Sequence, residues 1–406
     1  MTAKINRELI QKFYGELDER SKETLDAAAE RVAAAKKRGG KVAVVTGSGP
    51  NLHEGVTTLI AELIEKGVVD GVTTSSAVVS HEMGGALDRV KMCGAAQLGL
   101  DEKFMPRGNV FEFTDMTDEE LDELSKEMIL DRELLAKRHD AEGHFVIKAA
   151  ANMAYPMGLR TEKLAEEIHS LCRQSGLPFE AVAGWGCDRR TMLGAGAEKG
   201  VPVLVTIPQL VGGGHVGMAV GDSIPVAERS RRISAMLGSS DVIIESAVAL
   251  TQEIHDGPFE TYTGHGIWSW WQGQPVYSLR GKTLIRFDLD ENLRRAQDLQ
   301  RSSAMIQEAI DKGLPKTKIS KIPFRMEMSA FARHEGSLPV IGDIGMIWPA
   351  FALKIADALG IGLDFMSYKQ ETDDGKAMRE WIVKNVRPLD RGRMLAKFRE
   401  WQEARG

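Results

Sequence analysis

The chain has 406 residues, 43% of them hydrophobic and 27% charged, with a formal net charge of -6 and an isoelectric point near 5.9. Binding a polyphosphate backbone needs a basic face, so this balance argues against nucleic acid as the main partner. Cys93, Cys172 and Cys187 show no C-x-x-C spacing, which argues against a disulfide framework or a zinc site. No apolar run is long enough for a membrane span, and the charged first residues contain no secretory core; a cytoplasmic chain with no membrane partner is the expectation.

Residues 7–38 read as one or two polar helices ending at Gly39-Gly40. KVAVVTGSG (41–49) is a β-branched run passing into a glycine turn. GVTTLIAELIEKG (55–67) has helical apolar spacing, and VVDGVTTSS (68–76) reads as a second strand, giving a β-α-β unit. The acidic stretch 112–142, where TDEELDEL looks like a capped helix start, reads as an exposed helical insertion. Helix and strand then alternate: 161–176 helix, 200–208 strand, 223–240 helix, 241–249 strand, and 283–290 as a last strand. The fold class expected is α/β, a Rossmann-like parallel sheet flanked by helices. Past residue 312 the pattern turns irregular before helical stretches at 348–360 and 373–386. The expected organisation is therefore a domain over 1–311 and a partly helical C-terminal extension over 312–406.

Five stretches carry candidate chemistry. TGSGPNLHEG (46–55), with Ser48 and Asn51, places glycines between a strand and a helix, where backbone N–H groups can approach a phosphate; a plain tight turn fits equally. VTTSSAVVSHEM (72–83) puts Thr74 and Ser75 at a strand's carboxyl end, with His81 and Glu82 following; helix capping competes. In LVGGGHVG (210–217), Gly212, Gly213 and Gly214 suit a backbone that something approaches closely, and His215 follows; a flexible loop is the alternative. TQEIHDGPFETYTGHGIWSWWQG (251–273) combines Glu253, Asp256, Glu260 and His265 with Trp268, Trp270 and Trp271. An indole and a carboxylate can together hold an ammonium, although acids such as Asp256 and Glu260 also occur on ordinary surfaces. FDLD (287–290) ends a strand with Asp288, suited to a ribose hydroxyl pair unless the acids there cap a helix.

Together these blocks resemble the deoxyhypusine synthase family. GVTTLIAELIEKGVVDGVTTSSAVVSHEMGGAL resembles the core at that family's cofactor site, and the later order of a GGG turn, DVIIESA, TQEIHDG and SWWQ resembles it as well. The likeness runs in patches over roughly residues 40–295 and leaves out 312–406. It implies a Rossmann-like fold binding NAD, and a homo-oligomer, a tetramer of paired dimers. In that family a lysine forms an imine with an aminobutyl group; here Gln272 stands in the lysine's place. An amide cannot form a Schiff base, so deoxyhypusine synthesis itself is not expected. The chain is also similar to the NAD-binding domain of archaeal-type ornithine cyclodeaminases, with VPVLV and FDLDE matching its later strands. That family lacks the imine lysine and removes ammonia by transient oxidation with NAD.

The expected function is an NAD-dependent enzyme that transiently oxidises a C–N carbon of a small amine or amino acid. His215 or His265 would carry the proton. Glu253, Asp256 and Glu260, with Trp270 and Gln272, would hold the substrate. Ser48, Asn51, Thr74, Ser75, His81, Glu82, Gly212–Gly214 and Asp288 would hold NAD. No metal is expected. The alternatives are a non-catalytic NAD-responsive binding protein and a divergent aminobutyl transferase of the deoxyhypusine or homospermidine synthase type.

Overall fold

A computed structural model describes residues 5–47, 49–106, 108–206, 213–247, 270–302, 304, 308, 311–314, 320–322 and 334–405. Ser48, Gly212, Glu253, Asp256, Glu260 and His265 lie outside the described residues.

The chain opens with α1 (Arg7–Glu16) and α2 (Glu19–Lys37). Asp18 caps α2 by accepting from the Ser21 N–H at 3.0 Å. Leu25, Ala28, Ala29, Val32 and Ala35 give α2 one buried stripe at helical spacing. Strand β1 (Val42–Thr46) is buried at every position. The turn behind it leads to one turn of helix, α3 (Pro50–His53), then to α4 (Val56–Glu65) and to β2 (Gly71–Thr74). The β-α-β unit is as the sequence reads.

After α5 (Ser76–Met83) the chain leaves the main sheet. Strands β3 (Leu87–Gly94), β4 (Val110–Thr114) and β5 (Gly143–Ala149) form a small antiparallel sheet in the order β4-β3-β5. Helices α6 (Asp118–Leu124) and α7 (Arg132–Asp140) cover it. Phe113, Leu121, Leu124, Leu135 and Met157 make its separate core. The expected helical insertion is thus the helical part of a larger α+β unit. Its capped start is present, since Thr117 and Glu120 form a reciprocal capping box.

The main sheet resumes through α8 (Met157–Ser175), α9 (Phe179–Gly184), α10 (Met192–Lys199), β6 (Val203–Val205), α11 (His215–Ser223), α12 (Val226–Ser239), β7 (Val242–Ser246), β8 (Thr283–Asp288) and α13 (Asn292–Ser302). Residues 283–290 do not hold the last strand. Ser337–Ile341 (β9) pairs parallel to β8, with Asp288 opposite Ile341, and is followed by α14 (Ile344–Leu359), α15 (Asp373–Asn385) and α16 (Arg391–Glu403). The segment past 312 therefore supplies the sixth strand.

The six parallel strands run β6-β2-β1-β7-β8-β9. Counted by their order of entry into this sheet, that is 3-2-1-4-5-6, the strand order of a doubly wound nucleotide-binding sheet. Side chains alternate between faces. Val44, Ile244, Ile285 and Phe287 join the core under α2, α4 and α14; Ala43, Val45, Ile243 and Leu284 join the one under α12 and α13. On the outer strand β6, the buried Glu180 carboxylate accepts from the Val205 N–H at 2.6 Å and is ion-paired with the fully buried Arg229. One carboxylate thus occupies an edge N–H and neutralises a buried guanidinium.

Candidate functional site at the β1–β7 switch point

In an open parallel sheet, a crevice opens where neighbouring strands send their connections to opposite faces, at the carboxyl ends. Here that place lies between β1 and β7, which pair in register from Val42 opposite Val242 to Thr46 opposite Ser246. Gly49, in the turn leaving β1, has φ 69° and ψ -114°, a conformation available to glycine. On the other side, Ala247 holds a left-handed φ of 51° and its N–H donates to the Phe287 carbonyl at 2.9 Å. A non-glycine residue in that region stores about 1 kcal/mol or more and gathers at functional sites.

A hydrogen-bonded chain fixes the floor of the crevice. Trp348 Nε1 on α14 donates to Ser246 Oγ at 2.7 Å, and that hydroxyl donates to Asn51 Oδ1. Asn51 Nδ2 returns to the Ser246 carbonyl at 3.1 Å. All three residues are fully buried, and Trp348 packs edge-on against Phe287 and Phe351. Asn51 therefore ties the β1 turn to β7 and is not directed at a cofactor. Ser246 and Trp348 are the functional neighbours that sequence reading passed over. A serine ending an otherwise buried strand was the available signal.

Beside this crevice, β2 ends in Thr73 and Thr74, whose Oγ1 atoms are buried without a hydrogen-bond partner. The Thr74 carbonyl accepts the Thr206 N–H at 3.0 Å, joining the ends of β2 and β6. Ser75 caps α5, accepting from the Val78 N–H at 3.2 Å, so the capping alternative holds for it. Gly213, at φ 81°, lies against the start of α5: a Cβ there would stand 2.9 Å from the Ser76 carbonyl oxygen. The close approach expected of a ligand is made by the protein's own backbone. Gly214 is the residue before α11, with φ 61°.

Several other expected residues are committed elsewhere. Both Glu82 oxygens accept backbone N–H groups at the start of α10, from Met192 and Leu193, at 2.9 Å each. Burial holds this carboxyl at about 7, above the usual 4.5. Asp288 Oδ2 accepts from Arg286 Nη2 at 2.8 Å, and Arg286 also pairs with Glu245 at 3.3 Å. Asp288 lies two strands beyond β1 on the side away from β2, whereas a ribose-binding acid in this fold ends the second strand. His215 opens α11 with Nε2 3.8 Å from Glu166 Oε1 on α8. Trp270 and Gln272 are exposed, Trp270 to 63%.

A second polar group surrounds α3. His53 Nδ1 lies 3.3 Å from Arg379 Nη2 on α15, and that nitrogen also donates to the Ile147 carbonyl on β5. His81 Nδ1 is 2.7 Å from the Ala150 carbonyl. Lys148 meets both oxygens of Glu112, at 2.7 and 2.8 Å. Burial pushes His53 below the usual imidazole range, helped by the charges of Arg379, His81 and Lys148. The adjoining Glu54 accepts from the Gln370 N–H at 2.7 Å, and burial raises it to about 7. Cavities elsewhere include one of about 390 Å³ between α4 and α15 and one of about 710 Å³ at the amino edge beside Lys41, Asp70 and Pro202.

Among the described residues no group of three or more His, Cys, Asp or Glu side chains is placed to hold a metal ion, and no helix is long and apolar enough to cross a membrane. No family model and no curated protein matches the chain in sequence. Among solved structures, the ternary complex of AgrE with ornithine and NAD+ aligns with a TM-score of 0.39 and 12% identity over 84% of this chain and 33% of that one. ArgZ, an arginine dihydrolase from the ornithine–ammonia cycle in cyanobacteria, gives 0.36 and 11% over 84% and 32%. A conserved LOR/SDH protein from Methanococcus maripaludis S2 gives 0.35 and 10% over 89% and 69%. The chain spans about a third of the length of the first two.

Proposed function

We propose that this chain is an NAD-dependent enzyme acting on a small amine or amino acid, with the cofactor lying across the β1–β7 crevice. The observation that carries the reading is the strand order, which places a glycine turn, a left-handed alanine and an orphaned threonine hydroxyl along one carboxyl edge. In such sheets a dinucleotide lies over the turn that follows the first strand, and its ribose lies at the end of the second. The residues fit that group: the turn at Gly47–Gly49 would face the diphosphate, and Thr74 Oγ1 would meet a ribose hydroxyl. Bound there, NAD would supply reversible hydride transfer, in keeping with transient oxidation of a C–N carbon.

The chain's own part is to orient the substrate and move its proton. Glu253, Asp256 and Glu260 are proposed as ammonium ligands, and His215 or His265 as the proton carrier. Kinship with the deoxyhypusine synthase-like superfamily belongs to the same proposal, while deoxyhypusine synthesis does not, since Gln272 offers no amine. A cytoplasmic homotetramer completes it, and light scattering that returns a monomer would remove the assembly.

Thr74→Val tests the cofactor site directly. The hydroxyl it removes has no partner in the protein, so folding stability should be kept. Calorimetric affinity for NAD should fall by about tenfold, the worth of one hydrogen bond of ordinary strength. Wild-type protein that binds neither NAD nor NADH overturns the reading. Mass spectrometry of small molecules released on denaturation would identify a retained cofactor or substrate.

A further inference from the structure

The turn of α3 has two sides. Asn51 on it reaches across to β7, while His53, two residues later, belongs to a group of basic side chains drawn from three other elements. Arg379 comes from α15, His81 from α5 and Lys148 from β5. Strand β5 and the residue just past it organise them: the Ile147 carbonyl holds Arg379, and the Ala150 carbonyl holds His81. All four side chains are partly buried, neither sealed in the core nor free in solvent.

Bringing the Arg379 and Lys148 cations together beside two imidazoles is unfavourable unless something negative offsets them. Within the protein, Glu112 does so for Lys148 alone. Glu54, Glu371 and Glu380 act on Arg379 from further off. Glu54 is bonded to the Gln370 N–H, and Glu380 lies 3.4 Å from Arg89. Among the described residues no carboxylate comes within ion-pair distance of His53, His81 or Arg379. Arg379 Nε is moreover buried with no hydrogen-bond partner, a cost of about 1–3 kcal/mol for a polar group left unsatisfied. The His53 imidazole is depressed first by burial and then, in the same direction, by the charges of Arg379, His81 and Lys148.

We propose that His53, His81, Lys148 and Arg379 form a carboxylate-binding subsite next to the cofactor crevice, so that the substrate is an amino acid or another carboxylate-bearing amine and not a simple polyamine. This rests on reading the β1–β7 crevice as the cofactor site. A guanidinium N–H donates a charge-assisted hydrogen bond to a carboxylate oxygen. With Arg379 Nη2 engaged by His53 and Ile147, Nη1 and the unpartnered Nε remain as separate single donors. One Arg beside two largely neutral imidazoles suits a monoanion better than a phosphate dianion. The short α3 would set the carboxylate a fixed distance from the chemistry, because Asn51 anchors one end of the turn and His53 the other.

The test uses the full-length chain with isotope-labelled histidine and acetate as the probe. Imidazole resonances are followed as acetate replaces chloride at constant ionic strength, and His53→Gln assigns the His53 signal. A saturable shift of the His53 and His81 resonances is expected, with the His53 pKa rising as acetate binds. Arg379→Met should weaken the response by about tenfold or more, and Arg379→Lys by less. If Arg379→Met does not fold, His53→Gln carries the same comparison through the His81 signal. No saturable response, an unchanged response in Arg379→Met, or a response to inorganic phosphate with none to acetate overturns the subsite. Calorimetry with NAD separates the two readings: acetate binding without NAD binding sinks the cofactor site alone, and NAD binding without an acetate response sinks the subsite alone.

Discussion

Replacing Asn51 with Ala should damage the molecule more than the loss of one polar side chain suggests. The amide accepts from Ser246 Oγ and donates to the Ser246 carbonyl at 3.1 Å, and every atom of this exchange is buried. Its removal leaves a hydroxyl proton and a carbonyl lone pair facing no partner. Each unsatisfied group costs about 1–3 kcal/mol, so a loss of about 2–6 kcal/mol is expected. Ser246→Ala should cost about 2–6 kcal/mol by stranding two groups, Asn51 Oδ1 and the Trp348 indole N–H now bonded at 2.7 Å. With Ser246 already gone, Asn51→Ala has fewer partners to strand, so the double variant should fall short of the sum by about 1 kcal/mol or more. Urea midpoints at constant m-value measure all three losses. Additive losses, or a single loss below about 1 kcal/mol, would refute the claim that this chain of bonds sets the crevice floor.

Four further outcomes follow from the same geometry. Arg229→Met should cost about 3–5 kcal/mol by leaving Glu180 buried and unpaired, and Glu180→Gln in the same chain should restore much of it; chemical denaturation measures both. Gly213→Ala should destabilise the fold by about 1–3 kcal/mol, because its Cβ meets the Ser76 carbonyl at a φ of 81°; an unchanged melting midpoint would show that the turn yields freely. Glu54, held at about 7 in the folded chain against 4.5 when unfolded, binds more protons folded, so its contribution is complete below about 4.5 and is lost as pH rises through 7. Glu54→Gln should therefore flatten the fall of stability between those values by up to about 1.4 kcal/mol per pH unit, and an unaltered slope refutes the assignment. A chain truncated at residue 311 should lose cooperative unfolding and aggregate, as seen by calorimetry and light scattering, because β9 and α14 go with it.

The parts of the fold legible in the sequence were those with one clear period. VAVVT and VIIES are buried at every position, and continuous apolar runs bounded by glycine or polar turns read directly as central parallel strands. β9 escaped because Ser337–Ile341 contains Pro339 and follows an irregular stretch. A proline within a run argues against a central strand, but β9 is at the sheet edge, where a missing N–H costs nothing. β3 and β5 escaped because they are only partly buried, and β3 carries charge through its length, LDRVKMCG. Within the site, the glycine turn and Thr74 were legible from their place after strands. The Asn51–Ser246–Trp348 chain was not, because it joins residues 195 and 102 positions apart. Polar residues inside apolar strands were the missed signal: Glu245 and Ser246 in VIIES and Arg286 in TLIRFD all hold buried polar contacts.

The C-terminal third packs beneath the floor of the crevice. Trp348 and Phe351 on α14 fill the space beneath Phe287 with edge-to-face contacts at 5.3 and 4.9 Å, burying three large aromatic rings in one place. Burial on that scale is worth several kcal/mol beyond the sheet's own hydrogen bonds, and it holds the indole N–H where Ser246 needs it. From the other side, α15 lays Arg379 across β5, so the small sheet is tied to α3 through the Ile147 carbonyl and His53. Both ends of the β1 turn are thus held by residues from the last seventy of the chain. A segment that looks like an appendage by sequence periodicity supplies, by packing, the indole beneath the switch point and the guanidinium beside it.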